Sequence, residues 1–562
     1  MKTLLKNGNV VNVFLDSIEK ADVLLENDKI IGVGDYSDAD ADIVEDVSGK
    51  YITPAFIDGH IHIESTMLTP CGLAKICLPR GTTTLVADPH EIANVCGVDG
   101  IRYMIEASKD IPLHVYFNLP SCVPATPFDE SGAELGASEL SQLYSEKRVL
   151  GLAEMMNYPA VIGNVQDVLK KVDDAVSRGR VVDGHAPMLS GRELDAYVSA
   201  GIQSDHECSN VAEAKEKLSK GQWIMIREGT AAKNLCGLLP LFDEPYNRRC
   251  LLVTDDRHPA DIVNEGHIDN IVRLAIKHGK DAAVAIRMAT IQAAQCFGLR
   301  YVGAIAPAYR ADILVLDDLY TVNVRDVYSS GKKVVENKKM LDFDAPEISL
   351  NIRNRVYNSF CENDISADSF YIEPKAKKCR AIGVLSGQIV TDELEVDINW
   401  DKNNGIDIER DILKLAVIER HKGTGHKGVG FISGIGLKRG AIASSVSHDS
   451  HNIIVIGTNE QDMAIAAKHI SKVGGNVVVA DGEILADMPL PIAGLMTDLS
   501  GEDIAKQNEF VRQTVHTLGV AEGIEPFMNM AFVSLPVIPK LKMTTQGLFD
   551  VEKWQRVPIY LD

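Results

Sequence analysis

Short apolar runs alternate with longer mixed segments through the first half of the chain. Six of these runs have the length of buried strands, at residues 51–57, 84–88, 149–153, 180–184, 201–205 and 250–254. Segments between them, such as 164–177 and 210–219, have the character of helices. Strands that alternate with helices are typical of a parallel sheet with crossover helices. The pattern therefore predicts an α/β fold, a (β/α)8 TIM-like barrel over residues 55–302.

The flanks of this predicted barrel have a different pattern. Residues 1–54 contain short β-like runs separated by turns, and similar runs return at residues 312–317 and 332–335. We expect residues 1–54 and 303–345 to pair as a small β-sandwich, because neither flank can close a core alone. Residues 346–562 mix strand-like runs with helix-like segments, for example 452–457 and 460–473. This mixture predicts a separate C-terminal α+β domain.

Five of the predicted barrel strands lead into side chains that can bind a metal ion. The first leads into His60 and His62, and the later ones end at Glu154, His185, His206 and Asp255. Alternate residues of a strand share a face, so His60 and His62 point the same way. The carboxyl ends of barrel strands meet at one rim, where active sites lie. We therefore expect these side chains to converge.

The order of these residues resembles that of the metal-dependent amidohydrolase superfamily. That order is His-x-His after strand 1, a bridging residue after strand 4, histidines after strands 5 and 6, and Asp after strand 8. Many members place a carboxylated Lys at the bridging position, where this chain has Glu154. Four longer segments resemble the bacterial adenine deaminases in particular. They are residues 54–67, 87–95, 434–452 and 534–539. The similarity spans nearly the whole chain.

This resemblance implies an enzyme of purine salvage that hydrolyses adenine to hypoxanthine and ammonia with a metal-activated hydroxide. It implies two divalent cations, Mn²⁺ or Fe²⁺, with Zn²⁺ also compatible with imidazole and carboxylate ligands. Two such cations about 3.5–4 Å apart lower the pKa of a shared water. The two cations would share six ligands: His60, His62 and Asp255 on one, His185 and His206 on the other, and Glu154 between them.

Several carboxylates are candidates for moving protons. Asp255 is expected to take a proton from the water and pass it to the leaving group. Asp256 competes for this role, and the resemblance alternatively places it against the purine base. Many related deaminases have a Glu three residues after the strand 5 histidine, but Met188 stands there in this chain. The proton donor to the ring is therefore unassigned, with Glu207 and Glu91 as candidates.

Other polar residues are candidates for contacting the substrate. His90 follows the run 84–88 and is expected on the active rim, although it could equally cap a loop. His448 and Asp449 lie in a segment that also contains His451. This segment could form a second metal site, reach the barrel mouth from the C-terminal domain, or be a polar turn. We expect His90, His448 and Asp449, together with Asp256, to bind the substrate.

Composition and charge exclude several classes of protein. The chain has 57 Lys and Arg against 79 Asp and Glu, a net charge of −22, which disfavours binding to nucleic acid or anionic membranes. Ten scattered cysteines without a CxxC pair indicate neither a zinc ribbon nor a disulfide framework. No apolar run approaches the ~20 residues of a membrane span, and the start lacks a signal-peptide core. We expect a cytoplasmic homo-oligomer that acts on a small molecule.

Two other functions stay open at this point. Another cyclic-amide or amidine hydrolase of the superfamily, of hydantoinase or dihydroorotase type, would suit the barrel. Those enzymes usually carry the bridging Lys, so Glu154 argues against them. A non-catalytic scaffold member would have lost metal ligands, whereas all six are present in this chain.

Overall fold

The structure of the protein is a computed structural model that describes residues 1–230, 232–362, 364–521 and 523–561. Its N-terminal segment consists of five strands: β1 Lys2–Asn12, β2 Ser17–Glu26, β3 Lys29–Gly34, β4 Ile43–Asp46 and β5 Tyr51–Pro54. β1 lies at the centre of this segment, antiparallel to β2 and parallel to β4 and β5.

Eight parallel strands then form the barrel: β6 Phe56–Ile61, β7 Thr82–Ala87, β8 His114–Leu119, β9 Val149–Met155, β10 Val181–Gly184, β11 Ser204–Asp205, β12 Trp223–Arg227 and β13 Cys250–Val253. β6 to β10 pair in order, and so do β11 to β13. The N–H of Gln203, just before β11, donates to the Val182 carbonyl in β10 at 2.9 Å. The N–H of Asp255, just after β13, donates to the His60 carbonyl in β6 at 3.0 Å, which closes the ring.

Among the described residues, thirteen α-helices accompany these strands: α1 Pro70–Cys77, α2 His90–Cys96, α3 Val98–Ala107, α4 Ala137–Ser141, α5 Tyr158–Ile162, α6 Gln166–Ser177, α7 Gly191–Ser199, α8 Val211–Ser219, α9 Leu235–Leu238, α10 Pro259–Asn264, α11 Ile268–Lys277, α12 Ala282–Met288 and α13 Ile291–Cys296. Their apolar faces and the strands share one buried core, which includes Leu85, Val182 and Ile271. The predicted (β/α)8 barrel is confirmed.

After the barrel the chain returns to the N-terminal segment with four strands: β14 Ile313–Leu316, β15 Val324–Ser329, β16 Lys332–Glu336 and β17 Lys339–Met340. β14 pairs antiparallel with β5, so both flanks of the barrel build one nine-stranded sheet. A separate core of this sheet contains Val23, Ile52 and Ile313. The proposed domain limits at residues 54, 302 and 345 stay a prediction.

The run 51–57 is two strands where the sequence suggested one. Ala55 separates β5 from β6, and its N–H donates to the Asp312 carbonyl of the return segment at 3.0 Å. The next N–H, of Phe56, donates to the Gly81 carbonyl inside the barrel at 2.9 Å. The backbone therefore leaves one sheet and enters the next within two residues, without any polar residue to mark the change.

The C-terminal region contains β18 Lys378–Val384, β19 Thr391–Asp397, β20 Leu413–Ile418, β21 Lys427–Ser433, β22 Ala441–Ser444, β23 Ile453–Gly457, β24 Asn476–Ala480, β25 Glu483–Met488, β26 Leu541–Thr544, β27 Gly547–Asp550 and β28 Gln555–Arg556. Its helices are α14 Leu350–Tyr357, α15 Glu460–Val473, α16 Gly501–Thr517 and α17 Pro526–Val533. β18 to β25 form one eight-stranded sheet and β26 to β28 a smaller one. α15 packs on the larger sheet through Met463, Ala467 and Ile470. No helix in the described ranges is long and apolar enough to cross a membrane.

Candidate active site

Six side chains that the sequence singles out as metal ligands meet at the carboxyl ends of the barrel strands. They are His60 in β6, His62 just beyond it, Glu154 in β9, His185 after β10, His206 after β11 and Asp255 after β13. All are buried apart from the half-buried His185. Each comes from a different strand except the first two, so the barrel brings distant parts of the chain to one place.

Glu154 lies at the centre of this cluster. Its Oε1 is 3.3 Å from Nε2 of His62, and its Oε2 is 2.8 Å from Nδ1 of His185 and 3.1 Å from Nε2 of His206. Burial alone would raise the pKa of the Glu154 carboxyl, but the three imidazoles hold it well below its ordinary value. Glu154 is therefore a carboxylate with both oxygens turned toward imidazole nitrogens.

Asp255 completes the cluster from the end of β13. Its Oδ1 is 3.2 Å from Nε2 of His62 and 3.5 Å from Nε2 of His60. Its φ of +59° lies in the left-handed region, which is uncommon for a residue other than Gly. Such strained residues gather at functional sites because the surrounding structure holds them there. The carboxylate also accepts a hydrogen bond from Arg227 at 2.6 Å.

The surroundings of the histidines leave the inward ring nitrogens available for a metal ion. Nδ1 of His62 donates to the Asp88 carbonyl at 3.1 Å, so its Nε2 keeps a lone pair toward Glu154 and Asp255. Nδ1 of His60 lies 3.3 Å from Oδ2 of Asp183. Its Nε2 is buried without a hydrogen-bond partner in the described part of the chain. An unpaired buried nitrogen facing carboxylates suits a cation between them.

Arg227, at the end of β12, joins two carboxylates of the site. Its Nη1 and Nη2 donate to the two oxygens of Glu207 at 2.5 and 2.8 Å, and Nη1 also reaches Asp255. Oε1 of Glu207 lies 3.5 Å from Nδ1 of His185. A guanidinium that binds a carboxylate through two parallel hydrogen bonds fixes its orientation as well as its charge. The sequence analysis missed Arg227, although a lone cation ending an otherwise apolar strand could have indicated it.

The segment 447–452 of the C-terminal region reaches the barrel mouth. Nδ1 of His448 lies 2.8 Å from Oε1 of Glu91 in α2, and Nε2 of His451 contacts the other oxygen of Glu91. His90 is 3.5 Å from Glu91 and 3.6 Å from Glu154, so it connects this group to the metal cluster. Asp449 lies 3.9 Å from His90. Three alternatives were left open for this segment: a second metal site, a contact with the barrel mouth, or a polar turn. In the structure the segment contacts the barrel mouth.

Glu91, His448 and His451 place three potential donor atoms close together. The backbone N–H of Ser447 donates to Nδ1 of His451 at 3.2 Å, so in the neutral ring the proton resides on Nε2. Nε2 contacts Glu91, and a proton there leaves Nε2 without the lone pair that a metal needs. His451 is therefore unsuited to be a metal ligand in this arrangement, which distinguishes the trio from the cluster around Glu154.

A cavity lies beside these residues, between the barrel and the C-terminal region. Ser65, Asp256 and His448 are among its polar lining groups, and Phe532 of α17 supplies an apolar wall. Oγ of Ser65 donates to Oδ1 of Asp256 at 2.5 Å. Glu64 also lines the cavity, and its Oε2 is buried without a hydrogen-bond partner among the described residues. Sequence reasoning missed Glu64 as a site residue although it stands beside the His-x-His motif.

Comparisons with known proteins agree with this architecture. Residues 51–334 match the amidohydrolase family, and residues 388–555 match the adenine deaminase C-terminal domain. The chain is 46% identical over 99% of its length to adenine deaminase 2 of Carboxydothermus hydrogenoformans, covering 97% of that protein. The chain belongs to the adenine deaminase family.

Other members of the family are as similar along the whole chain. The adenine deaminase of Clostridium acetobutylicum is 46% identical over 98% of this chain and 96% of its own length. That of Thermosipho africanus is 44% identical over 100% of this chain and 97% of its own. The region matching the adenine deaminase C-terminal domain contains His448 and Asp449, so the family-specific part of the chain is the part that covers the barrel mouth.

Proposed function

We propose that the protein is an adenine deaminase, which hydrolyses adenine to hypoxanthine and ammonia. One observation carries the proposal from the site itself: three imidazoles surround Glu154, and one of them, His62, also contacts Asp255, whose neighbour Asp256 lines a cavity that the C-terminal region closes. The name borne by full-length relatives supports the choice of substrate. The presence of Glu154, where cyclic-amide hydrolases usually carry a Lys, supports it over those enzymes.

Two divalent cations would occupy the cluster. His60, His62 and Asp255 would hold one and His185 and His206 the other, with Glu154 between them. The buried, unpaired Nε2 of His60 and the fixed tautomer of His62 fit such ions. Imidazole and carboxylate ligands suit Mn²⁺ or Fe²⁺, and Zn²⁺ is compatible. Bound there, the cations would polarise the substrate and lower the pKa of a bound water.

The residues around the cluster would transfer protons, orient the catalytic groups and contact the substrate. Asp255 would accept a proton from water and pass it to the departing amine, because its Oδ1 is free of the Arg227 contact made by Oδ2. Glu207 is better suited to orienting than to donating a proton, since both of its oxygens accept hydrogen bonds from Arg227. Asp256 and Ser65 would contact the purine base in the cavity.

The test is turnover of the full chain with defined metal content. Protein stripped by a chelator and reloaded with Mn²⁺, Fe²⁺ or Zn²⁺ is incubated with adenine, and hypoxanthine and ammonia are measured together. Adenosine, dihydroorotate and hydantoin serve as competing substrates. We expect equal amounts of hypoxanthine and ammonia from adenine in the reloaded protein and none in the stripped protein. Turnover of a cyclic amide in place of adenine would show that the enzyme is a cyclic-amide hydrolase of the same superfamily.

A further inference from the structure

The contact between His448 and Glu91 joins the C-terminal region to the barrel at the edge of the cavity. Glu91 belongs to α2, which follows the second barrel strand, whereas His448 lies between β22 and β23. Both are buried, so their ion pair is shielded from water. Nothing in the proposed metal cluster requires this pair, and the proton donor to the purine ring is still to be assigned.

We propose that His448 is the group that donates a proton to a ring nitrogen of adenine, and that Glu91 keeps its imidazole in the cationic form. This inference rests on the proposed function. Adenine is a poor electrophile at C6 until a ring nitrogen gains a proton, so a donor in the cavity complements the nucleophile at the metal cluster. His448 would be a catalytic residue and Glu91 a positioning residue.

The geometry leaves one nitrogen of His448 free for the substrate. Nδ1 is bound to Oε1 of Glu91 at 2.8 Å, and Nε2 has no hydrogen-bond partner among the described residues. The ring stacks on Phe532 with centroids 4.7 Å apart and planes 28° apart, which fixes the direction of Nε2. His448 lines the same cavity as Asp256 and Ser65. A flat purine in this cavity would therefore meet a fixed N–H donor.

The carboxylates around His448 favour its cationic form. Burial alone would lower its pKa, but Glu91, with Asp256 and Asp449, raises it to about 9. His258 after β13 and His451 of its own segment also face it, and His90 of α2 contacts the same Glu91 carboxylate. Burial holds the pKa of His258 and of His451 below the ordinary value, so both are neutral at pH 7.

The carboxylates named earlier as donor candidates cannot supply this proton as readily. Burial would raise the pKa of Glu91, but His448 and His451 hold it well below its ordinary value. A carboxylate that is hydrogen-bonded to one imidazole and in contact with a second has no proton to give. Glu207 is bound through both oxygens to Arg227. His448, which is hydrogen-bonded to Glu91, is therefore a better proton donor than Glu91 itself.

The proton balance of the step is simple. The N–H bond at Nε2 of His448 breaks as an N–H bond forms on the ring nitrogen, and a neutral imidazole remains bound to Glu91. Water supplies its oxygen to C6 and one proton to the departing amine, which leaves as ammonia. The second proton of that water is released as the C6 carbonyl forms, and it restores the imidazolium.

The first test measures the protonation state of His448 by NMR and requires no catalytic activity. The full chain is labelled with ¹⁵N-histidine and loaded with diamagnetic Zn²⁺, and the His448 signals are identified by their loss in His448→Gln. We expect the ring to stay cationic at pH 7 and to lose its proton near pH 9. In Glu91→Gln the midpoint should move to lower pH. A neutral ring at pH 7 in the wild-type protein would overturn the inference.

The second test measures kcat for adenine and its dependence on pH. In the Mn²⁺-loaded enzyme, His448→Gln should lower kcat for adenine by about 10²–10⁴-fold, the usual contribution of a general acid. The wild-type rate should fall as pH rises through about 9, and in Glu91→Gln this fall should begin at lower pH. His278→Gln, an exposed histidine on the barrel, is the matched control and should keep the wild-type profile.

The outcomes separate this inference from the proposed function. If the wild-type enzyme deaminates adenine but His448→Gln retains its kcat, His448 is not the donor. If Glu91→Gln retains the wild-type pH profile, Glu91 does not keep the imidazole cationic, and that part of the inference is wrong. If the metal-loaded wild-type enzyme releases no ammonia from adenine, the proposed function fails and this role fails with it.

Discussion

At the residue scale, the free ring nitrogen of each histidine decides what that histidine can do. His62 donates a hydrogen bond from Nδ1 to the Asp88 carbonyl and so turns the lone pair of Nε2 toward Glu154. His451 receives a backbone N–H on Nδ1 and so turns a proton toward Glu91. Both are buried imidazoles beside a carboxylate. One is suited to a metal and the other to a hydrogen bond, because the backbone beside each ring differs.

Glu154 should be indispensable for metal binding as well as for turnover. Glu154→Gln removes the charge that His62, His185 and His206 contact, and it leaves the side chain about the same size. We expect bound metal to fall toward one ion or none per chain and ammonia release to be lost. Metal analysis after dialysis and the ammonia assay measure the two effects.

A matched control for this change is Glu193→Gln, at an exposed position of α7. It removes the same charge from the surface and should keep both metal and activity. Two retained metal ions and normal turnover in Glu154→Gln would exclude Glu154 as the bridging ligand.

Asp183 should affect the metal through His60. Its Oδ2 lies 3.3 Å from Nδ1 of His60, and its Oδ1 accepts hydrogen bonds from Ser204 and from the N–H of Gly184. Asp183→Asn keeps the shape but removes the charge that makes the imidazole a stronger ligand. Loss of such a partner typically weakens metal binding about 10–100-fold. Competition with a chelator of known affinity measures this change, and an unaltered affinity would show that Asp183 does not support His60.

At the element scale, β12 contributes to the site through its last residue. Arg227 balances the charges of Glu207 and Asp255, and that balance is costly to lose because Arg227 and Asp255 are buried and Glu207 is half-buried. Arg227→Gln should destabilise the fold by about 3–5 kcal/mol, as expected when one partner of a buried ion pair is removed. It should also lower kcat, because Asp255 loses the contact that orients it.

Thermal unfolding monitored by circular dichroism, together with the ammonia assay, measures both effects of Arg227→Gln. The control is Arg248→Gln, which breaks an exposed pair with Glu244. That pair lies in water, so its loss should leave the unfolding midpoint nearly unchanged. Equal midpoints for the two variants would mean that the buried arginine does not stabilise the site.

Six of the eight barrel strands were predictable because a short apolar run with a polar end marks each of them, whereas β8 and β12 were not predicted. The runs 149–153 and 250–254 correspond to β9 and β13 within two residues. The run 201–205 shrinks to the two residues of β11, since only Ser204 and Asp205 pair with β12. The division at Ala55 was not predictable, because it depends on which sheet accepts each hydrogen bond.

The site was predictable where its residues stand at strand ends and unpredictable where it depends on packing between distant segments. Asp255 and Glu154 follow from the strand pattern. Phe532 does not, because a Phe in a helix is normally core and nothing in the sequence pairs it with His448. Asp183 precedes a predicted ligand, but only the rotation of the strand end turns its carboxylate toward His60.

At the scale of the whole molecule, the barrel mouth is held against the C-terminal region by the loop after β8. Oγ of Ser450 contacts Asp129 of this loop, and the Asn452 side chain donates to the Glu130 carbonyl at 2.7 Å. Phe128 packs on Phe549 with ring centroids 4.9 Å apart. These contacts bind the segment that carries His448. The position of that segment over the cavity therefore depends on a loop that contains no metal ligand.

Glu130 is the residue through which this dependence can be measured. Its Oε1 lies 2.8 Å from Nδ1 of His426 and its Oε2 accepts from Thr545 at 2.5 Å, so the side chain connects the loop to two places in the C-terminal region. Glu130→Ala removes both contacts and leaves the metal ligands intact. We expect full metal content and a kcat/KM for adenine reduced by up to about 10²-fold, the loss that a misplacement of about 1 Å can cause.

The matched control for Glu130→Ala is Glu134→Ala, because Glu134 is an exposed residue of the same loop. It changes the loop charge equally, so it should retain wild-type kinetics. Proteolysis of the native protein adds a second readout, since the loop should be cleaved faster only in Glu130→Ala. A Glu130→Ala enzyme with unchanged kcat/KM would mean that the C-terminal segment holds its position without the Glu130 side chain. The contacts of Ser450 with Asp129 and of His448 with Glu91 would then suffice to keep that segment over the cavity.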